Sequence, residues 1–138
     1  MKRLLSTLVA LTLLAAAVPV FAETTLEKIA RTGTLTIGTR RGSPPFGYVN
    51  QKNEWVGFAI DLVEQAIKPV LERQLKKAIK VEKKESAPAT RIPLLTSRAV
   101  DLIAETMTDT RPRRESVDFS LTFFVTGAQF LEIGRAHV

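Results

Sequence analysis

The chain has 138 residues, 20 of them Lys or Arg against 14 Asp or Glu, for a formal charge of +6 with 45% hydrophobic residues. That length is enough for one small domain. Cysteine is absent, which excludes disulfides and a lipid-modified cysteine, and the single histidine is His137, almost at the end of the chain.

Met1–Ala22 opens with Lys2-Arg3, continues as an uncharged run from Leu4 to Phe21 and ends in Val20-Phe21-Ala22 before Glu23. This is the pattern of a cleavable secretory signal peptide, with Pro19 breaking the apolar run near its end. A membrane anchor is the competing reading, but a span needs about 20 apolar residues. The mature protein is therefore expected in a bacterial periplasm, stable without disulfides and away from nucleic acid.

Beyond the signal, Leu35–Gly38 reads as a short strand after Gly33, and Arg40–Gly47 as a Gly/Pro-rich loop. Tyr48-Val49 and Trp55-Val56 flank the polar "NQKNE", which predicts a hairpin, with Tyr48 and Trp55 packing across it. A helix is predicted from about Ala59 to Ala78, kinked or broken at Pro69. Within it, Val70, Leu71, Leu75 and Ala78 keep helical spacing, so the basic stretch Lys68–Lys84 reads as a solvated outer face rather than a site for an anionic partner. Ile79–Glu82 reads as a strand, Thr90–Ser97 as a helix and Val100–Ala104 as a strand. The alternating order predicts an α/β fold, a mostly parallel sheet flanked by helices.

The last residues, Glu132–Val138, "EIGRAHV", back-translate to GAG-ATC-GGA-AGA-GCA-CAC-GTC, the start of a common sequencing adapter, and read as a non-native tail. His137 lies in it, so neither histidine catalysis nor a histidine metal site is expected.

In a parallel sheet, ligands sit where loops leave the carboxyl ends of the strands. Three loops are predicted there: Arg40–Gly47, Glu85–Thr90 and Glu105–Arg113. They carry or adjoin Arg40, Arg41, Arg91, Arg113 and Arg114, and the last loop adds Thr106, Thr108 and Thr110. Hydroxyls and a planar guanidinium suit a carboxylate, because the fork donates two parallel hydrogen bonds to its two oxygens. Thr110 is placed to cap a short turn opening at Arg111-Pro112. Asp61, Asp101 and Asp118 are spread over a helix and two strands, so no acid/base pair is suggested.

Four blocks in order, "GTLTIGTRRGSPPFGYVN", "WVGFAIDLVEQAI", "RIPLLTSRAVDLIAETMTDTRPRRESVDFS" and "FFVTGAQFL", resemble the periplasmic amino-acid-binding proteins of ABC importers, solute-binding protein family 3, and cover nearly all of Gly33–Leu131. The resemblance implies a type II periplasmic-binding-protein fold, of which residues 23–131 would form part of the first lobe, with the second lobe missing. It implies an amino acid as ligand, a membrane permease as partner, no cofactor and a monomer at full length. It places Thr106 and Thr108 on the ligand's polar groups, Arg113 on its α-carboxylate and Phe58 as an apolar wall. Arg40 and Arg91 resemble positions of the glutamate/aspartate binders, which implies an acidic ligand, although Pro88 stands where that subgroup has a hydroxyl. Two other classes share the fold: periplasmic enzymes, either a cyclohexadienyl dehydratase or the binding module of a lytic transglycosylase, and the sensor module of a membrane receptor kinase.

Overall fold

The computed structural model describes residues 23–127. The signal peptide assigned to Met1–Ala22, the end of the fourth block and the tail Glu132–Val138 lie outside the described residues. Among the described residues no helix is long and apolar enough to cross a membrane.

The first element is a helix the sequence reading did not anticipate, α1 (Thr25–Thr32). Thr24 Oγ1 accepts from the Glu27 N–H at 3.2 Å and Glu27 Oε2 accepts from the Thr24 N–H at 2.7 Å. This reciprocal cap satisfies two amides that the first helical turn would otherwise leave unpaired. Gly33, at φ 71°, ends the helix in the left-handed conformation and turns the chain into β1 (Thr34–Thr39).

Strand β1 is the centre of the sheet. It pairs in parallel with β5 (Lys80–Glu85) on one side and β6 (Leu102–Ile103) on the other, as predicted, in the order β5-β1-β6. Leu35, Thr36, Ile37, Gly38 and Thr39 are all buried, as expected for a strand covered on both faces. The strand ends differ from those expected. Ile79 is buried in the core, its N–H donating to Glu72 Oε1 at 2.9 Å, so β5 begins one residue later and runs on to Glu85. Beyond the two paired residues of β6, Asp101 N–H donates to the Thr36 carbonyl at 2.7 Å and Ala104 N–H to the Gly38 carbonyl at 2.9 Å, which keeps both flanks aligned with β1.

The predicted long helix is found, but in three parts: α2 (Phe58–Leu62), a wide turn with five-residue hydrogen bonding over Val63–Ile67, and α3 (Lys68–Leu75). The irregularity therefore precedes Pro69 instead of falling on it. Ala59, Val63, Ile67, Leu71 and Leu75 recur every four residues, and all pack on the core. In a regular α-helix such a repeat drifts by about 40° per step. The wide turn rotates less per residue and returns the row to the sheet, and it also accommodates a proline that cannot donate to the carbonyl four residues back. The helix stops at Leu75 with Lys76 left-handed, short of Ala78. Val70 and Ala78, read as part of the apolar stripe, are exposed.

The basic stretch is largely tied to the chain's own surface. Lys83 pairs with Glu64 at 2.8 Å, Lys80 with Glu82 at 3.0 Å, and Lys84 Nζ donates to the Ala99 carbonyl at 3.0 Å.

A second, antiparallel sheet holds β2 (Gly42–Ser43), β3 (Gly47–Val49) and β4 (Trp55–Val56), the last two forming the predicted hairpin. Trp55 faces Val49 and Tyr48 faces Val56, so the two aromatic residues are not direct partners. The Arg41 guanidinium lies over the Trp55 ring instead, 5.4 Å from its centroid.

The hairpin is locked to α2 at Gly57. Its φ is 130°, and a Cβ there would sit 2.5 Å from the Phe46 carbonyl oxygen. Gly57→Ala is therefore expected to destabilise the protein by about 1 to 3 kcal/mol. Gly42→Ala, where an added Cβ meets nothing within 4 Å, should change stability by less than about 0.5 kcal/mol. Urea unfolding of the two variants checks the contrast, and equal losses would contradict it.

Candidate functional site

Because β1, β5 and β6 run parallel, the segments that follow them leave from one edge of the sheet. The loop after β1 carries Arg40 and is anchored by amides of α2: Phe58 N–H donates to the Pro45 carbonyl and Ala59 N–H to the Phe46 carbonyl, each at 2.9 Å. Ser86 follows β5, and its N–H donates to the Thr39 carbonyl at 2.9 Å. Arg91 opens the short helix α4 (Arg91–Thr96), and Glu105 to Thr110 follow β6.

The arginines gathered by these loops have different partners. Arg41 is taken up by Trp55, and Arg114 by Asp109, to which its Nε donates at 2.6 Å. Arg91 is buried, 7% exposed. Its Nη1 donates to the Thr106 carbonyl at 2.8 Å and its Nη2 lies 3.2 Å from Glu105 Oε2. Arg40 is half-buried, with Nε 3.8 Å from Glu105 Oε1. Arg113 sits in the four-residue helix α5 (Arg111–Arg114), and its Nη1 donates to the Thr108 carbonyl at 2.7 Å. Among the described residues Arg113 pairs with no acid and lies over no aromatic ring.

Glu105 is the residue that sequence reasoning missed. Its carboxylate is wholly buried between Arg91 and Arg40. The contact with Arg91 has the distance of an ion pair but not the direction of a hydrogen bond, and both Glu105 oxygens lack a directed donor. Burial pushes the Glu105 carboxyl up from its ordinary range while Arg91 and Arg40 hold it down; burial likewise pulls the Arg91 guanidinium down against the pull of Glu105. Thr39 Oγ1, Ser86 Oγ and Arg91 Nε are also buried without partners, so polar atoms without partners collect at the carboxyl ends of β1 and β5.

The remaining expected site residues are placed as follows. Thr106 is half-buried and Thr108 exposed; the backbone carbonyl of each accepts from an arginine. Phe58 is 47% exposed and stands edge-on to Phe46 at 6.4 Å between centroids, with Phe123 at 5.9 Å. The expected cap by Thr110 is not made: its side chain forms no hydrogen bond to α5, and its carbonyl accepts from Arg113 and Arg114 N–H, both at 3.1 Å. The strand expected at Asp118 is absent too, residues 117–127 belonging to no helix or strand. An open cleft of about 1190 Å³ runs between that segment and β6, lined by Ser43, Phe46, Glu105, Thr106 and Thr108. It follows the edge of β6 past Arg98, Val100 and Leu102, and Arg40, Arg91 and Arg113 do not line it. Among the described residues no three His, Cys, Asp or Glu side chains come together as a metal site.

Residues 35–132 match the model of the bacterial extracellular solute-binding proteins, family 3. The chain belongs to this family. Across 98% of its length it is 34% identical to the L-glutamate/L-aspartate-binding protein of Pseudomonas aeruginosa, and across 78% it is 38% identical to the glutamine-binding protein of Geobacillus stearothermophilus. It spans 45% and 40% of those relatives, less than half of either. Among solved structures, an ancestral amino acid-binding protein described as a precursor of cyclohexadienyl dehydratase superposes with a TM-score of 0.65 at 32% identity, over 73% of this chain and 41% of that one. The arginine-bound form of domain 1 of TmArgBP superposes with a TM-score of 0.60 at 29% identity, over 70% of this chain and 71% of that domain. The family 3 chain thus has the α/β fold of the type II periplasmic binding proteins and corresponds to part of the first lobe.

The buried pair gives a stability test for this family 3 chain. Arg91→Ala would leave Glu105 facing only the more distant Arg40, which is expected to cost about 3 to 5 kcal/mol. Arg113→Ala, in a surface turn, should cost less than about 1 kcal/mol. Chemical denaturation distinguishes them, and an Arg91→Ala variant as stable as its parent would contradict the pairing.

Proposed function

We propose that this chain is the first-lobe segment of a periplasmic receptor that delivers an amino acid to the permease of an ABC importer, acting as a monomer at full length. The ligand is a polar amino acid, with glutamate or aspartate preferred. The observation that carries the reading is Arg113. It spends one N–H on the Thr108 carbonyl, which fixes the guanidinium beside the threonine loop, and it has no acidic partner among the described residues. An α-carboxylate supplies that partner, with the Thr106 and Thr108 hydroxyls as further donors. Phe58, whose side chain is 47% exposed, supplies an apolar wall.

The acidic preference rests on two supports. Arg40 and Arg91 share one carboxylate, Glu105, which leaves a net positive charge for a second ligand carboxylate. A relative named for glutamate and aspartate matches across almost the whole chain. Relatives named for glutamine match as well, so the preference is one of degree.

Calorimetric titration of the full-length protein tests the reading. Glutamate and aspartate should bind more tightly than glutamine and asparagine, and Arg113→Ala should weaken all four, by about 30-fold to several thousand-fold, the range for losing a buried charged pair. Binding by none of the four would overturn the proposal. The likeness to a precursor of cyclohexadienyl dehydratase makes a same-fold enzyme the second reading. Mass spectrometry separates the two, because a receptor returns every bound amino acid unchanged.

A further inference from the structure

Glu105 lies one residue before Thr106 and reaches back into the protein, where its side chain has no exposed surface. Arg91 Nη2 and Arg40 Nε flank it at 3.2 and 3.8 Å. Arg91 is held on the other side by the Thr106 carbonyl, so the carboxylate, the buried guanidinium and the threonine loop form one connected unit. The Glu105 side chain is closed off from solvent, while the Arg40 side chain is 39% exposed, so of the ion group it is Arg40 that faces outward.

We infer that Glu105 is a specificity-determining positioning residue, a buried counter-ion that sets how strongly the site favours a ligand carboxylate over a ligand amide. Two guanidiniums without it would present two positive charges to the ligand side chain; with it they present one. The carboxylate is out of water, so its effect on a nearby ligand charge is screened far less than that of a surface acid. The same charge opposes a ligand carboxylate directly, since like charges in one poorly solvated site disfavour each other. This inference rests on the reading of the site as an amino-acid receptor with Arg40 beside the ligand side chain.

The experiment is a pair of titrations, glutamate and glutamine, on full-length protein carrying Glu105→Gln, a change that keeps size and removes charge. The ratio of glutamate to glutamine affinity should rise by about tenfold or more. Arg40→Gln should lower the ratio, and the double variant, which restores the parent's net charge, should return it to within about threefold of the parent. If Glu105→Gln alone gives no cooperative melt, the double variant against Arg40→Gln carries the same comparison. Loss of both affinities in equal proportion in Glu105→Gln, or a double variant whose ratio stays at the value of Arg40→Gln, would overturn the inference and assign Glu105 a fastening role only. Parent protein that binds neither ligand would instead overturn the receptor reading beneath it.

Discussion

Everything at the site depends on β1 being hydrogen-bonded in parallel to a strand on each side. Parallel neighbours cannot be joined by a tight turn, so the chain must cross back over the sheet between them, and the segments that leave the strands emerge together at one edge. That geometry brings Arg40, Ser86 and Glu105 to one place although they are far apart in sequence. It also explains the burial of β1. A central strand covered on both faces has no exposed side for its residues, and a Cβ on Gly38 would meet the end of the Ile103 side chain 2.6 Å away.

The same edge collects charge that the interior resists. Taking an arginine and a glutamate out of water costs more than their attraction returns unless further hydrogen bonds are made. Here Arg91 makes one, to the Thr106 carbonyl, and leaves its Nε without a partner. A core of aliphatic side chains would be the more stable solution at this position. The charged pair, together with the unpartnered hydroxyls of Thr39 and Ser86, is therefore a local cost in stability.

The framework was legible in sequence where the pattern is local. Apolar pairs on either side of the polar "NQKNE" located β3 and β4, and the βαβ order predicted the parallel sheet. The arginine and threonine residues of the proposed site were also visible, because each adjoins a loop that follows a strand. The capping box of α1 is present in the sequence as Thr24 and Glu27, between the expected signal peptide and the first strand. What stayed hidden depends on contacts across the fold. The widened turn before Pro69 arises from an apolar repeat of four, which helical spacing alone treats as ordinary. Thr110 has the right type for a cap, yet its hydroxyl makes no bond to α5. Glu105 looked like one more polar residue at the end of an apolar run, since nothing beside it in sequence shows that Arg91 and Arg40 will close around it.

Strand β6 is flanked by two buried carboxylates that are held in different ways. At its start, Asp101 accepts from Lys28 Nζ at 2.7 Å and from the Thr36 N–H at 2.9 Å, while its own N–H donates to the Thr36 carbonyl. That carboxylate is fully engaged and ties α1, β1 and β6 together, so its burial is compensated by hydrogen bonds. At the other end, the Glu105 side chain is also buried, with Arg91 Nη2 at 3.2 Å and Arg40 Nε at 3.8 Å and no donor in good hydrogen-bond geometry. A network of aligned hydrogen bonds resists any rearrangement, whereas an ion pair of loose geometry tolerates small shifts of the guanidiniums at little cost. The amino end of the strand is therefore the more tightly fastened of the two.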